Sequence, residues 1–286
     1  MKHLSPIFQT AVLAMAWFTM ASTMLAEEPA KQPVNEEKKA DKKPDAATTQ
    51  KKAEEMIKLS QNRDELAMPG MKILVKKGYI DVEAKICLAK GMLELLACKK
   101  DSKEHESLIA VVPKAAHIHA ALLLIGAQPG NPAMRKEVET EDGPRWIDLE
   151  PRGQEIDVSL VFNNEAGEPT EHPIKEFLIK SEEESFEPKP EVKKEDRAFP
   201  TNTFLFVGSH VFKDGEADPV YLADESGNVI SLSTFGDELL ALPGVHANDN
   251  QGLVWSIDPT RVPPLDTKVI LRLKPKKAAA AQEPKK

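Results

Sequence analysis

Only two cysteines, Cys87 and Cys98, occur in the 286 residues of this chain, and that scarcity removes several chemistries at once. A four-thiolate iron–sulfur ligand set is impossible. The pair does not form a Cys-x-x-Cys motif, so a thioredoxin-like redox site has no sequence support. Other signatures are absent too. There is no Gly-x-Ser-x-Gly nucleophile elbow, no His-Glu-x-x-His zinc helix, no phosphate-cradling glycine loop and no dinucleotide fingerprint. No internal repeat is visible. The formal net charge is −8, the wrong sign for a protein that neutralises phosphates, so nucleic acid is not an expected partner.

What is present begins with an export pattern. Lys2 and His3 form a basic start, and Ile7, Phe8, Val12, Leu13, Trp17, Phe18 and Leu25 mark an apolar stretch that ends at Ala26 before Glu27 and Glu28. That order is a secretory signal peptide over 1–26, with Ala21 as a second cleavage position. Gln9, Thr10 and Thr19 interrupt the stretch, whereas a spanning helix needs about 20 predominantly apolar residues. No cysteine follows it to carry a lipid. The expected location is therefore secreted or periplasmic, with no membrane span after cleavage. Residues 27–65 are dominated by Glu, Lys, Ala, Pro and Thr and cannot bury enough apolar surface to offset the entropy of ordering them, so they read as a disordered spacer. Residues 276–286 read as a similar tail.

Between 66 and 275 strand patterns dominate. Ile80, Val82, Ala84, Ile86 and Leu88 alternate with polar residues, and 92–98 forms a second apolar run. Joined as a hairpin through Ala89-Lys90-Gly91, these runs pair Leu88 with Leu93 and Ile86 with Leu95. An exported chain with two cysteines ordinarily suggests one bridge. This register, however, spaces Cys87 and Cys98 by roughly 13–14 Å along the ladder, beyond the Cα separation of about 7 Å that a disulfide tolerates. It also sets Cys87 opposite Glu94 and Cys98 opposite Glu83, which would raise the thiol pKa values.

Ser107–Val112 reads as a strand, and Pro113 opens a strongly apolar helix over about 114–126, buried against a sheet. Gln128-Pro129-Gly130 suits a type II turn with positive φ at the glycine. Pro173–Lys180 reads as a short helix, 181–197 as an exposed loop, and 203–207, 219–223, 229–232 and 269–273 as strands. Strands outnumber helices and lack regular crossover helices. The expected fold is thus a single α+β domain, with a mainly antiparallel sheet and one buried apolar helix.

The ordered set VEAKICLAKGMLELLACKK, HESLIAVVPKAAHIHAALLLIGAQPG, FVGSHVF, VYLADESGNVISL and KVILRLKP resembles the YdjY-like family of exported bacterial proteins. The resemblance covers most of 70–275. It implies the location and the domain, and points to no settled catalytic activity.

Candidate chemistry centres on His105, Glu106 and His119, which would meet if the helix folds back over the strand leading into it. Two imidazoles and a carboxylate can hold Zn or another divalent metal, with Glu106 as ligand or base. The same residues can instead be a structural cluster, His119 donating a hydrogen bond to a carbonyl or to Glu106. Ser107 with His105 and Ser209 with His210 invite a hydrolase reading, but Ser209 and His210 are strand neighbours whose side chains point to opposite faces, and no Gly-x-Ser-x-Gly elbow occurs. Gly208-Ser209 reads as a bend where backbones approach closely. The overall expectation is an exported, non-enzymatic binding or structural module without a cofactor, serving an envelope ligand or protein. The alternative is a metal-dependent hydrolytic protein built on His105, Glu106 and His119.

Overall fold

The computed structural model describes residues 64–140, 143–181, 197–215, 218–247 and 253–277. The export segment and nearly all of the spacer lie outside the described residues, as do most of the 181–197 loop and the end of the tail. In chain order the strands are β1 (Leu66–Met68), β2 (Met71–Leu74), β3 (Tyr79–Ile86), β4 (Leu95–Lys99) and β5 (Ser107–Val111). After helix α1 (Ala115–Leu124) come β6 (Met134–Thr140), β7 (Gly143–Leu149), β8 (Gln154–Asn163), β9 (Pro169–Pro173), β10 (Leu178–Lys180), β11 (Thr203–Phe206), β12 (Val211–Phe212) and β13 (Val220–Tyr221). A short helix α2 (Leu222–Ser226) leads to β14 (Asn228–Ser231), β15 (Leu240–Ala241), β16 (Trp255–Ile257) and β17 (Lys268–Pro275).

The α+β expectation is corrected here: the molecule is built on a closed β-barrel of eight strands. The order runs β3–β17–β8–β11–β15–β14–β4–β5, and β5 then pairs with β3 to close the ring. All pairings are antiparallel except β14 with β15 and β4 with β5. Alternating strands with one buried face satisfy an open sheet and a barrel equally well, and what separates the two is the long-range β3–β5 pairing. That pairing uses only the C-terminal half of a β3 edge, from Ala84 to Ile86, while β2 occupies the Tyr79–Val82 half of the same edge. The strand β8 is shared in the same way, by β11 near its start and β9 near its end.

The alternation then explains the interior. Ile80, Val82 and Ile86 of β3, Ile156, Val158 and Leu160 of β8, and Val269, Leu271 and Leu273 of β17 are buried in one core with Phe204, Phe206, Ile230 and Leu240. An eight-stranded barrel is just wide enough for side chains to fill it. Each such side chain contributes about 1.5–3 kcal/mol when fully buried. On β3 and β17 the other faces carry a polar ladder in which Arg272 makes a two-pronged ion pair with Asp81 at 2.8 and 2.9 Å.

The expected β3–β4 hairpin does not form. β5 lies between those strands, with Ile109 opposite Ile86 on one side and Ala97 on the other. The intended turn is captured elsewhere: the Leu93 N–H donates to Trp255 O and the Ile257 N–H donates to Gly91 O. Four smaller expectations also change. Ile174–Phe177 is a single 3-10 turn before β10, and 219–223 divides into a two-residue strand and the start of α2. Gly130 does not have a positive φ; it is needed because a Cβ there would lie 1.9 Å from the Arg152 carbonyl oxygen. Lys276, assigned to the tail, pairs with Glu155 at 3.2 Å, so order runs past the last strand.

Helix α1 has no capping side chain of its own. Instead the Ala115 N–H donates to Asp224 Oδ1 of α2 at 2.6 Å, a cap supplied from elsewhere in the chain. At its end Gly126 adopts φ +87°, and the Gly126 and Ala127 N–H groups return to Leu123 O and Leu122 O. This Schellman arrangement fixes the exit of the chain. Among the described residues no helix is long and apolar enough to cross a membrane.

Candidate functional site

The two halves of the expected site part company. Glu104–Glu106 forms a 3-10 turn directly before β5, leaving His105 exposed with Nε2 3.7 Å from Glu106 Oε2. Glu106 also lies 3.5 Å from Lys103, whose ammonium sits 4.3 Å from the centre of the Phe235 ring. Glu94 joins this surface group. Burial, and then the charge of Glu106, raise its pKa, against Lys103 and His105. Ser107 is buried, and its hydroxyl donates to Lys103 O at 2.7 Å, which uses the proton a nucleophile would have to release.

His119 keeps different company. Its position on α1 turns the ring towards the end of β11, where Phe206 meets it edge-on at 4.9 Å. The loop after the helix is pinned to the barrel by Gly130 N–H to Phe206 O and by the Asn131–Arg152 backbone pair. That contact is very close, since a Cβ on Gly153 would fall 2.0 Å from Phe206 O. Pro129 is thereby held against Gly208, where an added Cβ would lie 2.9 Å from Pro129 Cβ and 3.3 Å from His119 Cε1.

The bend at 208–209 is the strained element of the site. Gly208 has φ +88° and Ser209 has φ +53°, a region that a residue with a Cβ seldom occupies. Two hydrogen bonds hold Ser209 there. Its hydroxyl donates to Asp237 O and accepts the Ala223 N–H. Thus Ser209, like Ser107, has its hydroxyl committed.

Tyr221, at the end of β13, completes the cluster. Its hydroxyl donates to Gly208 O at 2.8 Å and lies 2.8 Å from His119 Nδ1. A carbonyl oxygen can only accept, so the phenol proton points to Gly208 and the phenol oxygen accepts from His119. The imidazole therefore carries its hydrogen on Nδ1, and Nε2 presents a bare lone pair. Burial lowers the pKa of His119 and so favours the neutral ring, an effect partly offset by the Gly208 carbonyl. Burial raises that of Tyr221, with the Asp224 charge adding to it. The phenol stays protonated at neutral pH.

The structure therefore brings together His119, Gly208 and Ser209 and sets His105 and Glu106 in a separate turn, with Ser107 at the start of β5 that follows it. Among the described residues no three His, Cys, Asp or Glu side chains are grouped to hold a metal ion. Sequence reasoning missed Tyr221, Phe206 and Asp237. Tyr221 left one usable signal, being one of only two tyrosines in the chain. Its place inside an apparent strand concealed it.

These features define a filled eight-stranded barrel with a polar histidine–tyrosine cluster at the junction of α1, the 208–209 bend and β13. The chain belongs to the YdjY family: the model of the YdjY domain matches residues 71–274. No curated protein and no solved structure matches the chain.

Proposed function

We propose that this chain is an exported protein of the cell envelope that acts as a non-enzymatic binding module, with recognition at His119. The observation that carries the reading is the Tyr221 hydroxyl held between His119 Nδ1 and Gly208 O. It orients the ring and leaves Nε2 as an acceptor of fixed direction, suited to a ligand that offers an N–H or O–H donor. The packed barrel interior points the same way, because a ligand must approach the outside of the barrel or its ends. Export is supported by the charge–apolar–small-residue order of 1–26. A hydrolytic role is disfavoured because both candidate serines spend their hydroxyl protons on carbonyl oxygens. A metal role centred on His105, Glu106 and His119 would need side chains that instead have separate neighbours.

The test is a titration of the 15N-histidine-labelled chain with defined amides, amino sugars and short peptides, read by nuclear magnetic resonance. The reading expects one class to shift the His119 Nε2 signal without being consumed, and His119→Phe to abolish that binding. Turnover of a probe, or binding that maps to Glu94 and Glu106 instead, would overturn it. Export is checked separately by the mass of protein recovered from the envelope fraction, with Glu27 expected as its first residue.

A further inference from the structure

The bend at 208–209 is gripped by one short stretch, Asp237 to Leu239, which runs into β15. Asp237 O accepts the Ser209 hydroxyl, and Leu239 O accepts the Gly208 N–H at 3.0 Å. The residue between them is Glu238. It is buried, and its Oε2 accepts the N–H groups of Gly236 and Asp237 at 2.7 and 3.1 Å. Successive N–H groups converging on one oxygen form a nest, and φ +88° at Gly236 allows the turn. A second anchor comes from the start of β14. The Leu239 N–H donates to Asn228 O at 3.2 Å, and Asn228 Nδ2 donates to Asp237 Oδ1 at 2.6 Å. The stretch that holds the bend is thus fixed by its own buried carboxyl and by Asn228.

These contacts form an unbroken series from Glu238 to His119. Glu238 Oε2 holds the Asp237 N–H, and the Asp237 carbonyl holds Ser209. Gly208 O takes the phenol proton of Tyr221, whose oxygen accepts from His119 Nδ1. We infer that Glu238 is the positioning residue that sets the hydrogen-bond polarity of His119, keeping Nε2 an acceptor. Ser209 stays at φ +53° because its hydroxyl is bonded on both sides. Without the carboxyl, the N–H groups of Gly236 and Asp237 lose their acceptor. Residues 234–237 are only half-buried, so water takes up those groups as the stretch moves away. Asp237 O then withdraws from Ser209, the bend relaxes, and Gly208 O leaves the phenol. Tyr221 becomes free to donate to His119 Nδ1 instead, and the imidazole carries its hydrogen on Nε2. The site then presents a donor where it presented an acceptor, and selects ligands bearing the opposite group. The reading of His119 as the recognition point gives this reversal its meaning; the reversal itself does not depend on it.

The experiment records the 15N signals of the histidine rings, above the pH range in which they titrate, for Glu238→Ala, Glu238→Gln and Ser209→Ala. Folding of each variant is checked by circular dichroism. In Glu238→Ala the ratio of Nδ1–H to Nε2–H rings at His119 is expected to move towards Nε2–H by about fivefold, the worth of one hydrogen bond. Glu238→Gln should keep the natural tautomer, because its amide oxygen still accepts the Gly236 and Asp237 N–H groups. Ser209→Ala breaks the series at its next link and should reproduce the shift; it carries the test if Glu238→Ala does not fold. A ring that keeps its Nδ1 hydrogen in folded Glu238→Ala or Ser209→Ala, or that loses it in Glu238→Gln, would overturn the inference. No ligand enters the measurement. A tautomer that follows Glu238 therefore stands even if no donor binds at His119, and one that ignores Glu238 leaves the binding reading untouched.

Discussion

The hydroxyl of Tyr221 stands 2.8 Å from His119 Nδ1 and 2.8 Å from the Gly208 carbonyl oxygen, so one phenol sets the tautomer of the imidazole. Removing it should be felt in both the site and the fold. In Tyr221→Phe the ring keeps its packing against His119 but loses both hydrogen bonds. We expect a loss of about 1 kcal/mol by urea denaturation, together with weaker binding at His119. A variant as stable as the natural chain would show that the pair does not contribute to folding.

The lowered pKa of His119 gives stability a defined pH dependence. The unfolded chain takes up a proton near the ordinary histidine value of about 6.5, while the folded chain resists it. Because the unfolded state binds more protons in this window, stability falls as pH drops below that value. His119→Phe should flatten this part of the profile. An unchanged slope would place the responsible group elsewhere.

Glu238 acts in the opposite sense. It is buried, its Oε2 accepts the Gly236 and Asp237 N–H groups, and its Oε1 has no partner among the described residues. Burial raises its pKa, with those N–H bonds opposing the shift. The folded chain therefore holds this proton above the unfolded value of about 4.3. The contribution is full below that value and is lost as pH rises through the folded pKa. Glu238→Gln should remove this alkaline-side loss, measured as midpoint urea concentration against pH.

The cap shared between helices is testable in the same way. Asp224→Ala strips the acceptor from the Ala115 N–H, and a cap of this kind stabilises by about 1 kcal/mol. A Tm decrease of roughly 2–4 °C is expected, and Asp224→Asn should recover part of it.

Local pattern revealed much of the strand content. The alternation of β3, β8 and β17 and the apolar run of α1 are written in neighbouring residues. Closure of the barrel is not, because β5 reaches β3 through a pairing that no window around Ala89-Lys90-Gly91 contains. Those turn residues suggested a hairpin, yet Gly91 and Leu93 find their hydrogen bonds on β16, far along the chain. The site divides along the same line. His119, Gly208 and Ser209 stood out individually by residue type and by an expected bend. Their meeting, and the exclusion of His105 and Glu106, depend on how the 127–132 loop is pinned to Arg152 and Phe206. Tyr221 was hidden because a two-residue strand running into a helix looks like one longer strand.

The most direct measurement is the 15N spectrum of the histidine rings in the folded chain at pH 7, with His119 identified by the signals lost in His119→Gln. The account predicts a neutral ring carrying hydrogen on Nδ1, with Nε2 unprotonated, and loss of that preference in Tyr221→Phe. A ring protonated on Nε2, alone or with Nδ1, would contradict it.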